Sequence, residues 1–174
     1  MTDYRREYEF LHEKRGGKYF SGKSMLPYAD QIAELVFTVQ PRRILDYGSG
    51  KGHQYLAHRA HEKWGGPLPI CYDIGVPELQ TRPQGLFEGL ICTDVMEHIA
   101  EPDVDGVLAD ALGFINPHAH AFAFLAIACR PAKGKKLSDG RNVHLTVKPP
   151  EWWLARLERF RRPGLELVAE FDEG

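Results

Sequence analysis

Cysteine is scarce in this chain: Cys71, Cys92 and Cys129 are the only three among 174 residues. Their odd number and wide separation exclude a disulfide framework, and no C-x-x-C spacing supports a cysteine-based zinc site. All three lie in apolar stretches, where a thiol packs as a small hydrophobe. Reduced thiols in a cytoplasmic protein are therefore expected. No apolar run approaches the roughly 20 residues that a membrane helix requires. Residues 1–7 lack the apolar core of a signal peptide, so no membrane or export route is expected. An excess of one charge is also missing. With 22 Lys and Arg against 24 Asp and Glu the net charge is −2, which excludes a strongly basic nucleic-acid coat but leaves room for a local patch. Repeats and low-complexity segments are absent.

The chain does have ordinary globular composition, 43% hydrophobic and 26% charged, at a length that suits one domain over residues 1–174. A short helix is predicted near Asp3–Glu13, within a polar N-terminal segment, 1–24, that we read as a lid. Apolar residues at helical spacing predict a helix over Met25–Val39, ended by Pro41. Strands are predicted at Arg43–Tyr47, Pro69–Ile74, Phe87–Asp94, Ala119–Cys129 and Leu165–Phe171. Helices are predicted at Lys51–Lys63, at Val95–Phe114 with a break near Pro102, and after Pro149-Pro150, since proline suits a first helical turn. This alternation predicts an α/β, Rossmann-like domain with a mostly parallel sheet flanked by helices. In such sheets ligands bind outside the carboxyl ends of the strands. The chemistry-bearing residues cluster at those ends.

The first strand runs into Asp46-Tyr47-Gly48-Ser49-Gly50-Lys51-Gly52. Alternate glycines permit a sharp turn and a close approach of backbone to ligand. The third glycine comes one residue too early for the G-x-G-x-x-G dinucleotide fingerprint, and no P-loop spacing exists. Asp46 before the turn would repel a pyrophosphate and suits a ligand carrying positive charge. A merely structural turn is the plain alternative. Asp73, closing the next strand, can accept the hydroxyls of a ribose, unless it is only a solvated turn residue before Gly75. Asp94, Glu97 and His98 stand at i, i+3 and i+4, on one face of a helix start. A capping-box variant explains the two acids without chemistry, but not His98.

Taken in order, Asp46-x-Gly48-x-Gly50-x-Gly52, Asp73 and Asp94-Val95-Met96-Glu97-His98-Ile99 resemble the motifs of class I S-adenosylmethionine-dependent methyltransferases. The resemblance covers about residues 25–130. It implies that Gly48, Gly50 and Gly52 line the cofactor, that Asp46 lies near its amino-acid end and that Asp73 holds its ribose, with Thr93 and Asp94 adjoining and Thr93 or Leu79 near adenine. Only 13 residues separate Asp73 from Phe87, too few for the usual helix and strand, so the fold is expected to be reduced there and at the C-terminal end. Within that family, small-RNA 3′-terminal methyltransferases carry an analogous acidic-x-x-Glu-His cluster with a distant His, resembling a divalent-metal site. The distant residue here is His144. The implied metal set is Asp94, Glu97, His98 and His144, suited to Mg²⁺, Mn²⁺, Fe²⁺ or Zn²⁺. A metal there would gather hydroxyls and lower the pKa of the attacking one. Without a metal, His98 or His144 beside Asp94 would act as general base, or the imidazoles are simply core. His58, His61, His118 and His120 look unremarkable.

A basic loop follows the fourth predicted strand, with Arg130, Lys133, Lys135, Lys136 and Arg141 against Asp139. We read 130–150 as the substrate side, suited to an anionic small molecule, nucleotide or nucleic acid; a solvated loop is the plain alternative. Tyr19, Phe20, Trp152 and Trp153 are candidates for stacking or for a lid, although helix packing is the commoner role of tryptophan. The expected activity is methyl transfer to an oxygen or nitrogen nucleophile. A non-catalytic methyltransferase-like binding module or adaptor, and a nucleotide-cofactor oxidoreductase, are the alternatives.

Overall fold

The computed structural model describes residues 4–14 and 21–174. Five strands, β1 (Ile44–Tyr47), β2 (Ile70–Tyr72), β3 (Gly89–Thr93), β4 (Ala121–Ala128) and β5 (Leu165–Asp172), form one sheet in the order β2-β1-β3-β4-β5. Every pairing is parallel, so the expected Rossmann-like α/β arrangement holds, with a fully parallel sheet. Helices α1 (Tyr4–Lys14), α2 (Ala29–Val39), α3 (His53–Leu56), α4 (Val104–Leu112) and α5 (Pro150–Leu157) accompany it.

All eight residues of β4 are buried. Its run Ala-Phe-Ala-Phe-Leu-Ala-Ile-Ala shows no polar alternation because both faces of a parallel strand are covered. Side chains on one strand still point alternately to opposite faces. Leu125 and Ile127 join Leu45 and Leu90 in a core with Val104 and Leu108 of α4 and Trp153 of α5. Phe122 and Phe124 join Ile44 and Ile91 against Ile32 and Val36 of α2. Helix α2 ends where Gln40 turns left-handed, φ 50°, immediately before Pro41, which disfavours a helical residue ahead of it.

Two predicted helices are shorter than their composition suggested. Lys51–Lys63 resolves into α3 and a 3₁₀ turn, Ala60–Trp64, separated by Arg59 at φ 49°. Val95–Phe114 resolves into 3₁₀ turns Met96–His98 and Glu101–Asp103 ahead of α4, with Pro102 inside the second turn. Between β2 and β3 stands only a 3₁₀ turn, Pro77–Leu79, which is the expected reduction. Asp3, Tyr19 and Phe20 lie outside the described residues. Among the described residues no helix is long and apolar enough to cross a membrane.

Candidate functional site

After β1 the chain builds outward to β2, then returns past β1 to add β3 on its other side. That reversal opens a crevice at the carboxyl ends of β1 and β3. A cavity of about 310 Å³ occupies it, lined by Gly48, Gly50, Asp73, Thr93, Asp94 and His98, among others. Its volume is at the small end of the ligand-pocket range, roughly 300–1,000 Å³.

The glycine turn forms one wall. Gly48 and Ser49 both donate to the Tyr72 carbonyl, at 2.8 and 3.2 Å, tying the turn to the end of β2. Gly48 has φ 78°, and a Cβ there would stand 2.3 Å from Val95 Cγ2, so glycine is required on both counts. Asp73 fastens the neighbouring corner, its Oδ2 accepting from Gly50 N at 2.7 Å and its Oδ1 from Gly75 N at 2.8 Å. The segment from Ser21 packs backbone to backbone on the same turn. His53 N and Gln54 N donate to the carbonyls of Ser21 and Gly22 at 3.3 and 2.6 Å. Ser24 Oγ lies 2.8 Å from Thr93 Oγ1. This much of the expected 1–24 lid therefore abuts the cavity.

Two predicted cofactor residues are placed elsewhere. Asp46 is 1% exposed and sits behind the turn, its Oδ2 accepting from Gln54 Nε2 and, at 2.8 Å, from the Tyr55 hydroxyl. Burial pushes its carboxyl up to about 7, against the pull of those hydrogen bonds. Gly52 lines a separate cleft of about 400 Å³ with Lys51, Tyr55 and Cys71. Leu79 lies on that cleft too, and donates no side chain to the main cavity. Burial pushes the Cys71 thiol up to about 12 and the Cys129 thiol to about 11, and all three cysteines are free.

Asp94 and His98 on the opposite wall belong to an acid and imidazole cluster. Asp94, Glu97, His98 and His144 each present a ligand atom, and these atoms lie within 4.8 Å of one another. Asp94 is held at φ 60°, and no side chain caps the 3₁₀ turn that follows, so the capping-box reading does not apply. Asp94 Oδ1 stands 3.7 Å from His98 Nε2 and 3.9 Å from His144 Nε2. The burial of Asp94 favours a higher pKa, but the neighbouring His98, and after it Lys135 and His144, outweigh it and hold the carboxyl low. Glu97 is wholly buried. Its Oε1 accepts from Ala128 N at 2.8 Å, whereas its Oε2 has no hydrogen-bond partner among the described residues. Burial first, and the Asp94 charge second, drive its pKa well up. His144 Nδ1 lies 2.6 Å from the Arg130 carbonyl. A carbonyl can only accept, so Nδ1 carries a proton; in the neutral ring, which burial favours, Nε2 keeps its lone pair toward Asp94.

Tyr4 and Tyr8 of α1 line the cavity as well. Tyr8 packs edge-on against His98, ring centroids 5.9 Å apart, and its hydroxyl donates to the His98 carbonyl at 3.4 Å. Sequence reading missed both tyrosines, because nothing in a short polar helix signals where its tyrosines will dock. Of the basic loop, Lys135 reaches the cavity, while Arg130 and Arg141 are spent on Asp172 and Asp139 at 2.6 and 2.7 Å. Trp153 is core, as is usual for tryptophan on an amphipathic helix; Trp152 lies under the Arg156 guanidinium, 3.3 Å from its ring centroid. No family model, no curated protein and no solved structure matches the chain.

Proposed function

We propose that this protein is an S-adenosylmethionine-dependent methyltransferase. Its acceptor is an oxygen or nitrogen nucleophile of an anionic small molecule, nucleotide or nucleic acid, and Asp94, Glu97, His98 and His144 hold a divalent metal. One observation carries the reading: Gly48 and Gly50 of the glycine turn, Asp73, and Asp94 and His98 of the four-residue cluster line a single cavity at the strand ends, with ligand atoms of Glu97 and His144 within 4.8 Å of those of Asp94 and His98.

The residues fit both groups. Gly48 and Gly50 present backbone without a side chain to the cavity. Each Asp73 oxygen accepts one N–H and has a lone pair left for a ribose hydroxyl. Asp94, its side chain 38% exposed, supplies the negative charge that suits a sulfonium; Asp46 is too deeply buried to do so. The cluster offers two carboxylates and two imidazoles, and the unpartnered Oε2 of Glu97 is a buried acceptor that a cation would satisfy. When bound, the cofactor supplies a methyl group on cationic sulfur, and the metal supplies Lewis acidity that lowers the pKa of an acceptor hydroxyl. The chain itself contributes alignment of the acceptor with the methyl carbon. Tyr4 and Tyr8 line the cavity, and Lys135 at its wall would face an anionic acceptor. Where no ion sits in the cluster, His98 or His144 takes the acceptor proton.

Calorimetric titration with S-adenosylmethionine and with its demethylated product tests this, followed by transfer of labelled methyl to nucleotide and RNA pools. Both ligands are expected to bind. Gly48→Ala, forced into a left-handed conformation at a cost of about 1–2 kcal/mol and against Val95, is expected to weaken binding roughly tenfold or more. Absence of heat and of any thermal shift with both ligands would reject the reading. Tight binding with no turnover on any pool would favour a binding module.

A further inference from the structure

The cluster is assembled from two distant parts of the chain, and side chains outside it fix how they meet. Glu97 and His98 sit on the turn after β3. His144 arrives at the far end of the 130–143 loop. The near side is fixed by Thr146, whose N donates to the Glu97 carbonyl at 3.0 Å and whose Oγ1 donates to the Ile99 carbonyl at 2.7 Å. The far side is fixed by Asn142. Its Oδ1 accepts from Ala132 N at 3.1 Å and from His144 N at 2.9 Å, and its Nδ2 donates to the Ala132 carbonyl at 2.9 Å. These three bonds close the loop on itself. They also bring the His144 backbone to the point where its Nδ1–H reaches the Arg130 carbonyl. Arg130 is held in turn by a two-pronged pairing with Asp172 at the end of β5, at 3.0 and 2.6 Å.

From this geometry we propose that Asn142 is a positioning residue for metal binding: it sets the ring orientation and tautomer of His144 by clamping Ala132 to the His144 backbone. The inference rests on the metal reading above and adds a determinant outside the ligand set. Only a carboxamide satisfies all three partners. An aspartate could accept from Ala132 N and His144 N but would set a carboxylate oxygen against the Ala132 carbonyl. Partners that orient a metal-bound histidine typically account for 10–100-fold in metal affinity.

The test is titration of the metal-free protein with Co²⁺, read by visible absorption, and with Mn²⁺, read by calorimetry. The variants are Asn142→Ala, Asn142→Asp and Ser138→Ala. Ser138 belongs to the same loop, but its hydroxyl ties to Glu7 at 2.8 Å, away from His144. Asn142→Ala is expected to lose roughly 10–100-fold in affinity and to change the Co²⁺ spectrum, because one imidazole is no longer aimed. Asn142→Asp is expected to lose less, and Ser138→Ala nothing. Circular dichroism checks that each variant is folded. If Asn142→Ala does not fold, Asn142→Asp decides, and undiminished affinity in it overturns the assignment. Wild-type affinity and spectrum in a folded Asn142→Ala overturn it too, as does an equal loss in Ser138→Ala, which would mean general loop order. A wild-type protein that binds neither ion defeats the metal reading and this inference together.

Discussion

At Asp46 a carboxyl is shut inside the fold with two donors and no solvent, and its pKa rises from 3.8 to about 7. The folded state therefore holds the proton more tightly than the unfolded chain does. The stability this contributes is complete below the unfolded pKa and is lost as pH rises toward 7. At about 1.4 kcal/mol per pKa unit, the penalty above pH 7 is on the order of 4 kcal/mol. Asp46→Asn is expected to flatten the dependence, so that its urea midpoint changes less than the wild type's between pH 5 and 8. Parallel midpoints for the two proteins would show that the carboxyl ionises normally. The same residue marks where sequence reading stopped short. The spacing of Asp46 with Gly48 and Gly50 announced a ligand-facing turn, and the turn does face the cavity. Strand alternation, however, puts Asp46 on the face of Ile44, beneath Tyr55, and leaves Tyr47 to line the cavity. Counting by two from Ile44 would have revealed it.

The elements divide by how local their causes are. The strands were legible because β1, β3 and β4 are apolar runs bounded by polar or glycine-containing segments, the pattern of a sheet covered on both faces. Helix α3 was not, since the chain around it is shaped from outside: Ser21 and Gly22 occupy its first N–H groups, and Arg59 breaks the run. Likewise, the turn over Met96–His98 depends on Asp94 adopting a positive φ, which no local propensity announces. The strand core should behave as a close-packed solid. Phe122 is fully buried, and its ring lies so near Gly89 that a Cβ there would come within 2.6 Å. Phe122→Ala is expected to cost about 3–5 kcal/mol, measured by urea unfolding. A loss below about 1 kcal/mol would mean that the two faces relax around the void more freely than this packing allows.

On the scale of the whole molecule, the cluster ties together the ends of β3 and β4 and the loop before α5. His144 joins Asp94, Glu97 and His98 across 46 residues of sequence. Only the sheet order makes them neighbours, which is why the sequence needed an analogy to suggest the set. An ion held there would cross-link these parts in the folded state alone. Mn²⁺ at 100 times its dissociation constant is expected to stabilise the protein by about 2.7 kcal/mol, raising the melting temperature by roughly 5–10 °C for a chain of this size. Glu97→Gln is expected to abolish that shift, and a wild-type melting curve indifferent to Mn²⁺ and to chelator would refute it. The stretch Ser21–Gly22, laid against the glycine turn, has its own chemical consequence. Cofactors joined through a phosphoanhydride are gripped by the unsatisfied amides that open a helix. In this chain the amides of His53 and Gln54 are already spent on the carbonyls of Ser21 and Gly22, so a phosphoanhydride would find neither of them free.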